Sequence, residues 1–134
     1  RERIYKRTAK RNNLKYITLI LPGCFIYTKK IAKGCIIEHN VILSSGVSVG
    51  LGTIILSGAV IGHGVSIGKF SNIGINVSIA GNVKVGNKVS IGSQSFVSNN
   101  IKICNNVIIA PGSVVLKSIS KPGVYKDNTI IKLL

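Results

Sequence analysis

The sequence predicts an all-β fold, a solenoid of short parallel strands, on three observations. From residue 25 to residue 115, every sixth residue is aliphatic or aromatic, which gives sixteen positions in one register with no polar residue among them. The residue after each of these anchors is often glycine, and the residue two before it is usually small or β-branched. Neither a helix nor a single strand repeats every six residues, whereas short strands joined by tight turns do.

Three six-residue repeats are expected to close one triangular coil, so that residues 18 apart stack on one another. The anchors, from Phe25 to Val115, would fill the interior. We expect the small residues at the tight corners, and glycine where a corner demands a positive φ. About five coils at ~4.8 Å give a prism roughly 24 Å tall. Because its core is thin, we expect its flat faces to need partners.

The six-residue register is read as unbroken from Phe25 to Val115, so no loop is expected to leave any corner. An active site must then be built on the faces and corners themselves. The simplest place for it is the groove between two prisms.

The flanks divide the chain into three predicted segments. Residues 1–21 carry six basic residues in the first eleven, which predicts a short helix, followed by a strand from Lys15 to Leu21. Residues 22–116 form the solenoid, and residues 117–134 are a C-terminal tail. The chain begins with Arg1 and contains no methionine, which predicts that it is part of a longer protein.

Composition narrows the partners and the compartment. The net charge of +15 fits a polyanionic partner or the residue usage of an AT-rich genome. Nucleic acid is an unfavoured partner, because no aromatic row lies on a basic face where bases could stack. No apolar run is long enough to span a membrane. The three cysteines lack metal-type spacing and predict reduced thiols in the cytoplasm.

Two histidines are candidates for chemistry. His39 and His63 each follow an anchor by two residues, but they are 24 residues apart and therefore lie on different faces. A zinc site of the kind used in hydration enzymes needs three histidines, so we predict no metal. Scattered threonines likewise argue against an ice-binding surface, which needs rows of them.

The segment around His63 resembles a family motif. It reads Val60-Ile-Gly-His-Gly-Val-Ser-Ile-Gly-Lys-Phe70, followed by Ala80-Gly-Asn-Val-Lys-Val-Gly86. These residues resemble the hexapeptide-repeat sugar acyltransferases of the sialic-acid O-acetyltransferase and bacillosamine N-acetyltransferase type, over residues 14–124. The resemblance implies a left-handed parallel β-helix and a nucleotide-sugar-binding α/β domain of which residues 1–20 would be the end. The flat apolar-edged faces, the lack of covering loops and the thin core predict a homotrimer with parallel threefold packing.

The resemblance also implies an acetyl-CoA-dependent transferase acting on an amino or hydroxyl group of a sugar or nucleotide sugar. His63 would be the general base, a task suited to an imidazole near pH 7. Asn72 stands where some members have a second histidine and would hydrogen-bond the thioester oxygen. The other implied cofactor contacts are Gly81 at the thioester, Ser93 with Ala110 and Pro111 along the pantetheine arm, and Lys117 at the phosphates.

Two departures from the family motif define the alternatives. The acidic residue that usually follows the histidine is Gly64 here, so a backbone carbonyl or Ser45 is expected to orient the ring. The C-terminal motif is also altered, at Val124 to Asn128. These departures favour the alternative of a non-catalytic β-helical scaffold that binds an anionic partner. A transferase for a small acceptor other than a sugar is a third reading.

Overall fold

The computed structural model describes residues 2–9 and 15–133, which form one helix and nineteen strands. Helix α1 spans Glu2–Ala9. Sheet A contains β1 (Leu19–Ile20), β4 (Ile36–Ile37), β7 (Ile54–Ile55), β10 (Asn72–Ile73), β13 (Ser90–Ile91), β16 (Val107–Ile109), β18 (Gly123–Lys126) and β19 (Thr129–Leu133). Sheet B contains β2 (Phe25–Ile26), β5 (Ile42–Leu43), β8 (Val60–Ile61), β11 (Ser78–Ile79), β14 (Phe96–Val97) and β17 (Val114–Val115). Sheet C contains β3 (Lys30–Ile31), β6 (Ser48–Val49), β9 (Ser66–Ile67), β12 (Lys84–Val85) and β15 (Lys102–Ile103).

Strands β1 to β17 belong to sheets A, B and C in turn, which confirms the predicted parallel β-helix. Each of these strands pairs in parallel with the strand one coil away; Ile37, for example, lies opposite Ile55. The second residue of most strands points inward and is buried, so aliphatic side chains stack along the axis. Sheet A has seven parallel strands, so the helix has about six turns, whereas the sequence predicted about five.

The first coil breaks the predicted register. Phe25 pairs with Ile42 and Ile26 with Leu43, a spacing of 17 residues, whereas Ile31 and Val49 resume the spacing of 18. A slip of one residue moves a side chain to the other side of a strand. The predicted anchor Phe25 is therefore 59% exposed, and Ile26 packs against the core in its place.

The corners differ from the prediction in where glycine is needed. Each turn follows the anchor by two and three residues, and its second residue adopts the left-handed conformation, as at Gly64 (φ +67°) and Asn82 (φ +59°). The small residues two before each anchor are not at the turn itself; Val65 and Val83, for example, are fully buried just after it.

The glycines directly after the anchors have a different role. None of them has a positive φ, but the next coil lies close above them. A Cβ on Gly62 would lie 2.9 Å from the carbonyl carbon of Ala80, closer than real side chains approach backbone. These glycines therefore allow close stacking of coils.

The predicted tail continues the helix. Strand β18 pairs in parallel with β16, and the Tyr125 side chain is 7% exposed, in line with the anchor Ile109. Strand β19 then pairs antiparallel with β18. Both flanks are thus attached to the solenoid, since β1 also pairs with β4.

The N-terminal helix lies beside the corner of the prism where the chain passes from sheet C to sheet A. Glu2 forms ion pairs with Lys6 (2.8 Å) and Lys88 (2.5 Å). The predicted helix is found over Glu2–Ala9 and the predicted strand over Leu19–Ile20; residues 10–14 lie outside the described part of the chain. Among described residues, no helix has the length and apolar character to cross a membrane.

Candidate active site

The turns between strands form three columns of stacked corners. We name them by the sheets they join: AB, BC and CA. The BC corner carries the first turn residues Ser45, His63, Gly81, Asn99 and Lys117, one per coil. His63 and Gly81 are therefore neighbours in adjacent coils. His39 lies at the AB corner, which confirms that the two histidines are apart.

The imidazole of His63 packs on the backbone of Gly81. A Cβ built on Gly81 would lie 2.5 Å from Nε2 of His63 and 2.7 Å from its Cε1. The backbone N–H of Asn82 donates to the carbonyl of His63 at 2.8 Å, which fixes the two turns relative to each other. The ring therefore occupies the space that a glycine at position 81 leaves open, and it remains exposed to solvent.

The backbone N–H of Gly81 has no hydrogen-bond partner among the described residues. Some equivalent N–H groups at the other two corners are capped by side chains from a neighbouring coil. At the AB corner, the N–H of Ser57 donates to Glu38 at 3.2 Å and the N–H of Ile75 donates to the Ser93 hydroxyl at 3.1 Å. At the CA corner, the N–H of Lys69 donates to Oδ1 of Asn87 at 2.7 Å. The Gly81 N–H is thus a free donor in the residue on which the His63 ring packs.

No group orients the His63 ring through a hydrogen bond within the described chain. The expected acceptor Ser45 uses its backbone carbonyl to accept from the N–H of Gly64 at 2.9 Å. Glu38 lies at the AB corner, where Ser57 donates to it through both its N–H and its hydroxyl. The ring is therefore held by its packing on Gly81.

Gly64 occupies a tight position in the same corner. Its φ of +67° is one that side chains rarely adopt, and an added Cβ would lie 2.5 Å from Oδ1 of Asn82. Asn82, one coil above, was not identified from the sequence. Its position follows from the 18-residue period, which places it directly over Gly64.

The remaining predicted site residues lie elsewhere on the prism. Asn72 points outward from β10 on sheet A, the face opposite the BC corner. Ser93 and Pro111 are turn residues of the AB corner, and Ala110 directly precedes that turn. Lys117 is on the BC corner, where Asn128 binds its N–H and carbonyl. One chain therefore brings His63 and Gly81 together and leaves Asn72, Ser93, Ala110 and Pro111 apart from them.

The three outward faces differ in chemistry. Faces A and B present mostly aliphatic and aromatic side chains, including Val60 and Phe96, which are 40% and 41% exposed. Face C presents only lysine and serine: Lys30, Ser48, Ser66, Lys84 and Lys102. The BC corner with His63 separates an apolar face from a basic one.

Two cavities lie along the CA corner. An apolar one of about 190 Å³ is lined by Ile4 of α1, Tyr16, Ile36, Ile54 and Phe70. A polar one of about 250 Å³ includes Lys69, Asn87 and Lys88. Neither includes His63. Within residues 2–9 and 15–133, no three histidine, cysteine or acidic side chains are grouped to hold a metal.

Comparison with known protein families supports the six-residue repeat that was predicted from the sequence. Residues 82–117 match the family model described as bacterial transferase hexapeptide (six repeats). A comparison of the sequence with curated proteins gives no significant match.

Several solved structures are similar along most of the chain. A histidine-to-asparagine variant of perosamine N-acetyltransferase from Caulobacter crescentus, with CoA and GDP-perosamine, is 21% identical with a TM-score of 0.82, covering 92% of this chain and 60% of that one. The acetyltransferase domain of PglB from Neisseria gonorrhoeae, with acetyl coenzyme A, is 20% identical with a TM-score of 0.87, covering 98% and 64%. LpxA, a UDP-N-acetylglucosamine acyltransferase from Bacteroides fragilis, is 19% identical with a TM-score of 0.70, covering 81% and 49%.

The chain spans about three fifths of the length of the first two of these structures. At such identities the likeness establishes the fold. The predicted resemblance is thereby confirmed: the chain is a hexapeptide-repeat β-helix that shares its fold with sugar acetyltransferases and acyltransferases.

Proposed function

We propose that the chain is the β-helical part of an acetyl-CoA-dependent transferase that acetylates an amino or hydroxyl group of a sugar or nucleotide sugar. The observation that carries this proposal is the pairing at the BC corner of an exposed imidazole with a free backbone N–H, at His63 and Gly81. Acyl transfer needs a base for the attacking group and a donor for the oxygen on which negative charge develops. The similar structures solved with CoA or acetyl-CoA support the choice of cofactor.

His63 would accept the proton of the acceptor's amine or hydroxyl through Nε2. As that nitrogen or oxygen bonds to the thioester carbon, the carbon–sulfur bond breaks and the thiolate of CoA leaves. The N–H of Gly81 would donate to the carbonyl oxygen in the transition state. Lys117, further along the same corner, would face the phosphates.

We infer that the complete site needs two copies of the chain. His63 lies at a corner and Asn72 on the opposite face, so one prism cannot bring them together. If face B of one copy packs on face A of the next, His63 of the first copy approaches the sheet A side of the second. Asn72 lies on that same face A and would come from the second copy, whereas the AB corner with Ser93, Ala110 and Pro111 borders face A on the side away from His63.

A homotrimer with parallel threefold packing fits the distribution of side chains over the faces. The apolar faces A and B meet at the AB corner, which would point to the axis, while the basic face C remains in solvent. Such head-to-tail contacts close into a ring when the rotation is threefold. Light scattering at moderate salt should give a mass three times 14.2 kDa.

Two matched variants test the packing. Val60→Glu places a charge on face B and should yield monomers, whereas Ser66→Glu on face C should remain trimeric. A monomeric wild-type chain would contradict both the trimer and the shared site.

We propose that the first predicted segment, residues 1–21, is the end of a nucleotide-sugar-binding domain. The solenoid predicted over residues 22–116 is extended by the strand Leu19–Ile20 and by strand Gly123–Lys126 of the predicted tail 117–134, which both pair within sheet A. We also propose that the protein acts in the cytoplasm, where the free thiols Cys24, Cys35 and Cys104 would stay reduced.

The second candidate function is a scaffold that has lost catalysis. It is favoured by the absence of an acidic residue after His63 and of any hydrogen bond to its ring within the described chain. A thermal-shift titration with acetyl-CoA separates the two: a transferase should be stabilised in proportion to ligand occupancy, and a scaffold should not. An unchanged melting temperature at saturating acetyl-CoA would remove the enzymatic proposal.

A further inference from the structure

The polar cleft along the CA corner has a lining made largely of hydrogen-bond donors. It lies between this corner and the start of α1, and it encloses about 250 Å³. Its lining residues are Lys69, Phe70, Asn87, Lys88, Asn105 and Asn106, together with Glu2 of the helix. Nothing in the proposed transfer reaction uses these residues.

The two asparagine side chains are fixed with their amide nitrogens free. Oδ1 of Asn87 accepts from the backbone N–H of Lys69, and Oδ1 of Asn105 accepts from the backbone N–H of Asn87, both at 2.7 Å. Because only the oxygen of an amide can accept, each Nδ2 group is directed away from the backbone as a donor. Neither Nδ2 has a partner among the described residues, and the two groups repeat at the ~4.8 Å spacing of adjacent coils.

The charge around the cleft is almost entirely positive. Lys69 makes no ion pair within the described chain, and Lys84 and Lys102 lie exposed on the adjoining face C. Two of the three acidic residues are engaged far from the cleft: Ser57 donates to Glu38, and the N–H of Val114 donates to Asp127.

Glu2 is the one acidic side chain at the cleft. Its carboxylate is bound by Lys6 and Lys88, and hydrogen bonds from these two lysines lower the pKa of Glu2 to about 2. The cleft therefore already accommodates an anionic group from its own chain.

We propose that this cleft binds a phosphate or diphosphate group of a ligand, with the amides of Asn87 and Asn105 and the ammonium groups of Lys69 and Lys88 as donors. Paired amides and lysines match the acceptor-only oxygens of such a group. Glu2 competes for Lys88 when the ligand is absent. The inference stands on these contacts alone and does not depend on acetyl transfer.

The sharpest test replaces the donors without changing shape. In the double variant Asn87→Asp/Asn105→Asp, one carboxylate oxygen can still accept the backbone N–H, while the other replaces the Nδ2 donor with a negative charge. The control Ser48→Asp/Ser66→Asp introduces the same pair of stacked charges on face C, which remains in solvent in the proposed trimer. Calorimetric titration with inorganic diphosphate at constant ionic strength measures binding.

We expect wild type and control to bind diphosphate alike, and the cleft variant to bind at least about tenfold more weakly, the scale of losing hydrogen bonds to a charged group. Glu2→Gln should tighten binding several-fold because it frees Lys88. Equal affinity in the cleft variant and the control would overturn the proposal. So would a lack of diphosphate and vesicle binding in both wild type and Glu2→Gln.

Vesicles identify the source of the phosphate group. Binding to phosphatidylglycerol vesicles, but not to phosphatidylcholine vesicles or soluble diphosphate, with the same loss in the cleft variant, would assign a lipid headgroup. Binding of diphosphate alone would assign a soluble ligand. Vesicle binding that the cleft variant retains in full, without diphosphate binding, would place anion recognition elsewhere and contradict the proposal.

Discussion

The BC and CA corners have the same backbone but differ in how their turns are finished. At the CA corner, stacked asparagines cap the turn N–H groups of Lys69 and Asn87 with their side-chain oxygens. At the BC corner, the N–H of Gly81 is uncapped within the described chain, and the neighbouring coil contributes an imidazole instead. An unpaired donor contributes no stability to the turn, and in the proposed function the N–H of Gly81 is the donor that a substrate would use.

The largest effect should come from removing the imidazole at the open corner. We expect His63→Ala to lower kcat by about 10²–10⁴-fold, the usual contribution of one general base. Acetyl-CoA should still bind, because the ring is not part of the predicted contacts with the phosphates or the pantetheine arm. Steady-state acetyl transfer and a thermal-shift titration measure the two properties.

The other histidine is the control for this prediction. His39 is also an exposed turn residue, but it lies at the AB corner. His39→Ala should leave the rate nearly unchanged. Full activity in His63→Ala would end the assignment of the base.

A smaller loss should follow from filling the space under the ring. Gly81 has no positive φ, so its backbone accepts alanine, but the new Cβ would lie 2.5 Å from Nε2 of His63. The ring must move, and misplacement by about 1 Å can cost about 10²-fold in rate. Asn99→Ala, one coil further along the same corner, should keep its activity. A Gly81→Ala variant as active as Asn99→Ala would show that the ring position is unimportant.

The role of the missing acidic residue after His63 can be tested by introducing one at position 64. Gly64→Asp should raise the rate or shift its pH profile if the site lacks an orienting acid. The positive φ favours Asp over Glu here, since five asparagines already adopt this conformation, and the Asn82 side chain must move aside. Gly64→Asn is the matched control because it has the same shape without the charge. Identical pH profiles for the two variants would mean that the charge has no role.

The smallest effect concerns the basic residues near the open corner. The affinity for acetyl-CoA should fall as salt rises, because exposed charges are screened. Lys117→Ala should reduce this salt dependence, since its side chain is exposed while its backbone stays held by Asn128. If the affinity for acetyl-CoA does not change with salt, the net charge of +15 is better explained by the residue usage of an AT-rich genome.

The repeat predicted the fold well because the six-residue spacing within one coil is enough to decide which side chains point inward. It missed the slip in the first coil because Phe25 and Ile26 are both apolar, so hydrophobicity alone permits either register. The tight glycines were misassigned because their reason is a contact with the next coil, as at Gly62 and Ala80, which a local turn rule does not contain.

The candidate site could be predicted only in part for a similar reason. The period of 18 places Gly81 and Asn82 above His63 and Gly64, whereas a separation of nine residues places Asn72 on a face away from His63. The free N–H of Gly81 and the contact between His63 and Gly81 required coordinates. The pairing of His63 with Asn72 depends on a second copy, and no pattern within one chain specifies how two copies pack.

Mixing two inactive variants tests most directly whether the open corner works with the face of a neighbouring copy. His63→Ala and Asn72→Ala should each be inactive or weak alone. If the chains are unfolded and refolded together in equal amounts, every mixed trimer has one site with both residues intact. Random assembly then predicts about a quarter of wild-type activity, given a cyclic head-to-tail trimer. Activity no higher than the average of the two variants would contradict a site shared between copies.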